Sequence, residues 1–289
     1  MARKNSRKRT SAVFITVLVC IALFFLYLGS FFLFPDVSAL SNKNPDLTAF
    51  MKYRIGQWEE AGKKKRIDRR WVSYNRISPI LVKAVIVSED AKFWKHEGFD
   101  FEAIHYAVEK DLKARTFKLG ASTITQQLAK NLFLSPSKNP VRKLKEAILT
   151  WRIERTLSKR RILELYLNSV EWGDAIFGIE AASRHYYQIS AADLTPRQAA
   201  ALAAVLPNPI RYNPTSRQRF VARRSETIYK ILVRRGFVIE TSEIDSTERP
   251  KDSVPEKSAS WTPEMRIDEL VDSLTRLDND TESWLPDSL

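Results

Sequence analysis

The sequence predicts a mainly α-helical protein behind a single N-terminal membrane-spanning helix. Residues 12–34 form an uncharged apolar run of 23 residues. From residue 78 onward, apolar side chains recur at intervals of three and four behind typical helix-cap residues, and alternating strand patterns are nearly absent. At 289 residues the chain has room for one large domain with appendages.

The apolar run from Ala12 to Phe34 is long enough to span a membrane. As a helix it measures about 34 Å, against a bilayer core of about 30 Å. A cleaved signal peptide is the alternative, but its apolar core would be only about 7–15 residues, followed by small residues. Here bulky residues and Pro35 end the run, which favours an uncleaved anchor.

Basic residues are concentrated before the run, in the segment 1–11. This bias predicts a cytoplasmic N-terminus and places everything after about Pro35 outside. In a bacterium, the chain would be a single-pass protein of the inner (cytoplasmic) membrane with a periplasmic domain. Cys20 is the sole cysteine, which excludes a disulfide framework and any cysteine-based metal site.

The net charge of +13 is unevenly distributed. Residues 240–289 hold 14 acidic and 5 basic residues, so residues 1–239 carry about +22. A basic domain beside a membrane attracts anionic head groups and phosphorylated lipids, and a solvated basic surface without a partner is the alternative. Nucleic acid is not expected, because none is present on the outer side of the membrane.

Three segments follow the anchor. Residues 35–75 are a linker and membrane-proximal segment, in which the aromatic and branched residues of 53–75 predict a small hairpin. Residues 76–238 form the helical domain. Residues 239–289 are rich in Ser, Thr, Pro and acids and are predicted to be a disordered tail.

Cap signals place the helices of the domain. A helix begins at Ser78-Pro79 and leads into Glu89, and another follows Asp100. The remaining starts and bounds are Ser122 or Thr123, Asn139-Pro140 through about Arg155, Ser158 through Asn168, the capping box Thr195–Gln198, and Ser216 through Arg235 before Gly236. In the helix after Asn139, the predicted buried stripe consists of Val141, Leu144, Ile148 and Trp151.

Two carboxylates are candidate catalytic groups. Glu89 ends an apolar helix beside Asp90, where a side chain can face a cleft, although a surface pair ending a helix is the ordinary alternative. Glu146 follows Arg142 and Lys143 by four and three residues, so the three share a helix face. Taken alone, that spacing is also typical of an ordinary intrahelical ion pair. Near a pyrophosphate, such cations would hold the leaving group while the carboxylate orients them or holds a divalent ion.

Further polar residues precede this cluster. Hydroxyls and amides occur over about one and a half turns, with Gly120 allowing close backbone approach. The candidate substrate-binding residues are Ser122, Thr123, Gln126, Gln127, Lys130, Lys138, Arg142 and Lys143. A well-capped polar helix start would have the same composition.

Three motifs carry a resemblance to a known family: Ser88–Asp100, Gly120–Asn131 and Arg142–Glu146. With Ile162–Gly173 and Leu202–Pro209 they follow the order and spacing of the peptidoglycan glycosyltransferases, so residues 69–238 resemble the monofunctional members of that family. Lys138 stands where many members have Arg, and Ala121 where many have a second Gly. Lysine at 138 replaces the bidentate guanidinium of Arg by a point charge, and alanine at 121 makes the loop stiffer than glycine would.

The resemblance implies a lysozyme-like, two-lobed helical glycosyltransferase domain at residues 76–238. It implies that the enzyme polymerises lipid II, a lipid-pyrophosphate-linked disaccharide-pentapeptide, into linear glycan strands, with inversion and release of undecaprenyl pyrophosphate. Glu89 corresponds to the general base, and Glu146 to the second essential carboxylate near the pyrophosphate. No transpeptidase signature follows the domain.

The expected cofactor is at most Mg²⁺ or Mn²⁺, with metal ligands unknown and no organic cofactor. Expected partners are lipid II, the growing strand and membrane lipids, together with transpeptidases and cell-division or elongation proteins by analogy. Two rival functions stay open: a glycan-cleaving enzyme of the same broad fold, and a membrane scaffold without activity.

Overall fold

The computed structural model describes residues 2–114, 122–137 and 139–239. It confirms the mainly α-helical class. In these residues the helices are α1 Ala2–Ser30, α2 Ala49–Glu60, α3 Pro79–Glu89, α4 Phe101–Ala114, α5 Ile124–Phe133, α6 Pro140–Thr156, α7 Lys159–Ser169, α8 Ile179–Tyr187, α9 Pro196–Val205 and α10 Arg219–Arg234. Strands β1 Asp68–Arg69, β2 Glu171–Gly173 and β3 Ile176–Phe177 form a small sheet in the order β1-β3-β2.

The chain divides into two compact units. The anchor unit comprises the residues up to Asp68, Phe93–Asp100 and Ser122–Val170. The sheet unit comprises, of the described residues, Arg69–Lys92, α4 and residues 171–239.

In the anchor unit, α5 packs against α2, α6 and α7. Fully buried apolar side chains such as Leu128, Leu149 and Ile162 form its core. Helix α1 contains an 18-residue window, Val13–Ser30, with a mean hydropathy of 2.6. Its length and composition suit a membrane span, although the helix ends at Ser30 rather than at the predicted Phe34.

In the sheet unit, α3, α9 and α10 pack against one another. Pro79 begins α3 as predicted, but the Ser78 side chain does not cap it. The Ser78 hydroxyl instead donates to the carbonyl oxygen of Leu194 at 3.3 Å, because Ser78 is buried against the loop before α9. The predicted stop of α10 is confirmed by Gly236, whose φ is +68°.

Four other predicted helix starts are confirmed by side-chain caps. Thr123 and Thr195 each form a complete capping box, and Asn139 and Ser158 accept hydrogen bonds from backbone N–H groups of the first turn. These caps satisfy donors that the helix itself leaves without partners. They therefore fix where α5, α6, α7 and α9 begin.

Three further predictions were wrong. The last helix was predicted to begin at Ser216, but α10 begins at Arg219, and the side chain of Gln218 before it makes no capping hydrogen bond. The expected hairpin in residues 53–75 is replaced by α2, because Met51 and Trp58 are buried at a helical spacing of seven. In α6, the buried residues are Glu146, Leu149, Thr150 and Ile153. The predicted stripe lies on another face, where Leu144 and Trp151 are exposed.

Candidate active site

The predicted site residues fall into two groups, one in each unit. The sheet unit contains Glu89. Three of the residues singled out in the sequence, Gly120, Ala121 and Lys138, lie outside the described residues. The anchor unit contains Ser122, Thr123, Gln126, Gln127, Lys130, Arg142, Lys143 and Glu146.

Glu146 is a buried carboxylate bound by two cations. Its side chain is 3% exposed and lies in the middle of α6. Arg142 Nη1 donates to Glu146 Oε2 at 2.7 Å, and Lys143 Nζ donates to Oε1. The spacings of four and three residues thus bring the three side chains together, as predicted. Burying a carboxylate is costly unless its oxygens are compensated, and the two cations supply that compensation.

Contacts beyond Glu146 fix the positions of the two cations. Arg142 Nε donates to the carbonyl oxygen of Ser137 at 2.6 Å, so the guanidinium connects the loop before α6 to the carboxylate. Lys143 Nζ lies 3.4 Å from Ser122 Oγ, and the Lys143 side chain is 50% exposed. A positioned and accessible ammonium of this kind can bind a phosphate oxygen as a point charge.

Thr123 and Gln126 form the start of α5. The Thr123 side chain accepts from the Gln126 N–H at 3.2 Å, and Gln126 Oε1 accepts from the Thr123 N–H at 2.9 Å. The Thr123 hydroxyl also donates to the carbonyl oxygen of Gly98 at 2.7 Å. Both side chains are buried, so these contacts orient α5 and the segment Phe93–Asp100.

Gln127 and Lys130 lie one turn apart on α5 and are partly exposed. Gln127 Oε1 accepts a hydrogen bond from the Tyr166 hydroxyl at 2.9 Å. Tyr166 is fully buried in α7, so this bond fixes the orientation of the Gln127 amide. Helix α5, which carries Lys130, packs against α6.

One buried network in the anchor unit was missed by the sequence reasoning. Glu154 accepts from the Thr125 hydroxyl at 2.5 Å and from Lys159 Nζ at 2.9 Å. Gly98 lies against the same residue with φ +91°, and a Cβ there would lie 2.9 Å from Glu154 Cγ. A glycine inside the Ser88–Asp100 motif was the available signal, since such a φ strains any other residue. The network fixes the Phe93–Asp100 segment on α6.

In the sheet unit, Glu89 is the last residue of α3, as predicted, and its side chain is 11% exposed. Arg224 Nη2 lies 3.5 Å from Glu89 Oε1 and 3.4 Å from the carbonyl oxygen of Ser88. The Arg224 side chain is only 2% exposed. A buried guanidinium therefore faces the candidate base and the end of its helix.

The sequence carried a signal for Arg224 that was not used. Val221, Arg224, Ile228 and Ile231 recur at intervals of three and four along α10. All four are buried, so a charged residue occupies a position in the apolar stripe. Charged residues are almost never fully buried without a partner, which makes such a position an indicator of a buried ion pair.

The residues around Glu146 do not fit a directly bound divalent ion. Both carboxylate oxygens are engaged by Arg142 and Lys143. Within residues 2–114, 122–137 and 139–239, no group of three His, Cys, Asp or Glu side chains is placed to hold a metal. The cluster is instead suited to binding an anion through its cations.

A family model described as Transglycosylase matches residues 56–233, which include both groups of site residues. A biosynthetic peptidoglycan transglycosylase of Nitrosospira multiformis is 48% identical over 72% of this chain and 90% of its own. Proteins of the same name from Methylobacillus flagellatus and Laribacter hongkongensis are 46% and 45% identical, over 72% and 74% of this chain and 91% and 93% of their own. The chain belongs to the transglycosylase family.

Proposed function

We propose that this chain is a peptidoglycan transglycosylase that polymerises lipid II into linear glycan strands. The observation that carries the proposal is the buried Glu146 with Arg142 and Lys143 bound to its two oxygens. Hydrolysing a sugar needs no such cations, whereas transferring it from a lipid pyrophosphate releases a highly charged leaving group. Positioned cations stabilise that charge as it develops.

In the proposed reaction, Glu89 is the general base. It takes the proton from the 4-hydroxyl of the acceptor sugar while that oxygen forms a bond to the anomeric carbon of the donor. The bond from the anomeric carbon to the diphosphate oxygen breaks, and the electron pair leaves with the undecaprenyl pyrophosphate. A single displacement of this kind inverts the anomeric centre. The partial burial of Glu89 at a helix end supports this role.

Lys143 and Arg142 bind the leaving diphosphate in this proposal, with Glu146 holding both in place. Ser122, Gln127 and Lys130 complete the binding surface of the anchor unit. Thr123 and Gln126 contribute by fixing the start of α5, since their side chains form its capping box. Lys138 is proposed as a further phosphate contact from its sequence position alone.

A membrane location follows from the same proposal. The substrate is held in the bilayer by its lipid, and α1 would hold the enzyme beside it, with the N-terminus in the cytoplasm and the catalytic residues on the periplasmic side of the inner membrane. The apolar window Val13–Ser30 supports this arrangement. Transpeptidases and cell-division or elongation proteins are the proposed protein partners, because polymerised strands require cross-linking.

Mg²⁺ or Mn²⁺ would act on the diphosphate rather than on Glu146 in this scheme, because the oxygens of Glu146 are already engaged. A chelator tests this directly. The expected result is that a chelator lowers the rate of Glu146→Gln as well as that of the wild type, because Glu146 would not be a ligand of the ion.

The deciding experiment incubates the purified protein in bilayers with labelled lipid II. Elongated polymer supports the proposal. Release of fragments from existing glycan, without polymer, would identify a cleaving enzyme. The absence of turnover would favour a scaffold. The Transglycosylase family model matches residues 56–233, and this match supports glycan polymerisation as the activity of this chain.

Glu89→Gln is the matching prediction for the base. The amide has nearly the same shape but cannot accept the proton, so polymerisation should fall about 10²–10⁴-fold. The control is Glu226→Gln, the same chemical change at an exposed residue of α10. Near wild-type polymerisation by Glu89→Gln, measured with a folded protein, would remove Glu89 from the role of base.

A further inference from the structure

The chain between α1 and α2 is fixed to the helix that carries Glu146. We call residues 31–44 the anchor segment; the sequence predicted the end of the membrane span at residues 31–34 and a linker from residue 35 onward. Val37 and Leu40 of this segment are buried. Asp36 accepts hydrogen bonds from the hydroxyl and the N–H of Ser38. These bonds keep the pKa of Asp36 below its usual value, and the bond from the hydroxyl has the larger effect. The segment therefore has a defined conformation of its own.

Arg152 of α6 binds the start of the anchor segment. Its Nη1 donates to the carbonyl oxygen of Phe31 at 2.9 Å, and its Nη2 donates to that of Leu33 at 3.0 Å. Both carbonyl groups belong to the turn after α1, whose backbone N–H groups already bind the last carbonyls of that helix. The guanidinium thus holds this turn from a neighbouring helix.

Aromatic contacts extend the same junction. Lys145 Nζ donates to the Tyr27 hydroxyl and lies 4.4 Å and 4.9 Å from the ring centres of Tyr27 and Phe31. Phe32 packs edge-on against Trp151 with ring centres 5.9 Å apart. Lys145 directly precedes Glu146 in α6, so the end of α1 contacts the catalytic helix at the level of the cluster.

Arg161 of α7 binds the end of the anchor segment. It donates to the carbonyl oxygens of Leu40 at 2.8 Å and Lys43 at 2.9 Å, and to Asn44 Oδ1 at 2.7 Å. Glu164 accepts from the same guanidinium at 2.5 Å, which orients it. Two arginines on adjacent helices therefore hold both ends of the segment through backbone carbonyls.

We propose that Arg152 and Arg161 are positioning residues that hold the Glu146 cluster at a fixed height and orientation above the bilayer. This inference rests on the proposed function, in which α1 spans the membrane and the diphosphate of the substrate lies at the head-group level. A flexible segment of 14 residues would let the cluster move over about 20 Å relative to the span. The arginine contacts remove that freedom, so the cations stay at the depth where the diphosphate is found.

Pulsed electron spin resonance tests the fixed junction. Spin labels are placed at the natural Cys20, which is exposed within α1, and at Thr156→Cys, an exposed position at the end of α6. In bilayer discs, the distance distribution should be narrow for the parent protein and clearly broader for Arg152→Gln combined with Arg161→Gln. Arg160→Gln, an exposed arginine on α7, is the matched control and should leave the distribution unchanged.

Kinetics test the consequence. With lipid II in bilayers, the double variant should be slower by about tenfold or more, because the local concentration of the cluster at the substrate falls. With a short-chain, water-soluble lipid II analogue, the rate should change by less than about twofold, since no fixed height is needed. Arg152→Gln alone should also lose more rate with the bilayer substrate than with the soluble analogue, but by a smaller factor.

An unchanged distance distribution, or an equal loss of rate with both substrates, would overturn the inference. Failure of the proposed function has a different signature: the parent protein would polymerise neither substrate, while the spin-label distances would still report on the junction. Thermal unfolding of each variant checks that the proteins compared are folded.

Discussion

Glu146→Gln is the substitution that most directly tests the site residues of the anchor unit. Glutamine has nearly the same shape as glutamate but carries one acceptor oxygen and no charge. In the wild type, Arg142 and Lys143 each bind a different carboxylate oxygen. The variant can therefore keep an acceptor for one cation, while its amide nitrogen faces the other.

The magnitude follows from the two contacts. A hydrogen bond to a charged group contributes about 1.5–3 kcal/mol and a neutral one about 1 kcal/mol, so the Arg142 contact loses about 1–2 kcal/mol. The Lys143 side chain is 50% exposed, and its contact adds no more than about 1 kcal/mol because solvent screens it. A total of about 1–3 kcal/mol corresponds to about a 5- to 150-fold loss of rate if both cations are held less well in the transition state.

The assay measures initial rates of polymerisation over a range of lipid II concentrations. In the proposed reaction the cations act on charge that develops as the diphosphate leaves, so we expect kcat to fall more than KM rises. Glu226→Gln is the control, since Glu226 also pairs with cations, Arg197 at 3.3 Å and Lys230 at 3.7 Å, but on an exposed surface. Thermal unfolding separates this effect from a loss of folded protein.

Two results would refute the reasoning. A kcat within about threefold of wild type would show that Glu146 does not control the cations during the reaction. A loss of activity that matches the loss of folded protein, with normal rates for the folded fraction, would make the cluster a stabilising ion pair and nothing more.

Two further predictions concern groups that the sequence reasoning did not use. Arg224→Lys keeps a positive charge beside Glu89 but loses the planar guanidinium, so kcat should fall by about tenfold with little change in KM. Arg224→Met, which also loses the charge, should show a clearly larger loss of kcat. Equal activity of the wild type and both variants would remove Arg224 from any positioning role. Gly98→Ala places a Cβ 2.8 Å from Thr150 Cγ2 at a φ of +91°, and it should lower the free energy of unfolding by about 1–3 kcal/mol. The control is Gly56→Ala, which should be neutral or stabilising because Gly56 lies in a helix and has nothing within 4 Å of an added Cβ. Equal melting temperatures of the two variants would contradict the strain argument.

The helix starts and the Glu146 cluster could be predicted because both depend on neighbours in the sequence. A cap depends only on the first turn of its own helix. The capping box of Thr195 forms as predicted, and Thr123, one of the two predicted start residues, caps α5. The cluster needs only helical spacing between Arg142, Lys143 and Glu146. Local rules of this kind do not depend on how the rest of the chain folds.

The face that α6 buries could not be predicted, because it is decided by distant segments. Periodicity alone favoured Leu144 and Trp151, which are large and apolar. In the structure, Trp151 packs against Phe32 from the end of α1, while the buried face carries Glu146 and Thr150. A helix that contacts both a protein core and the end of the apolar helix α1 has two apolar faces, and its sequence alone does not tell which of them is buried in the core.

The same limit affects how the positive charge of the chain is interpreted. The excess of about +22 in residues 1–239 suggested an attraction to anionic lipids and phosphates. Yet Arg152 and Arg161 bind backbone carbonyls of the anchor segment, and Arg224 is buried against the end of α3. Cations engaged in this way contribute to the long-range field but are not contact sites for a partner. We therefore expect substitution of the exposed Lys143 to change substrate affinity and its salt dependence, and substitution of Arg161 to change the geometry instead.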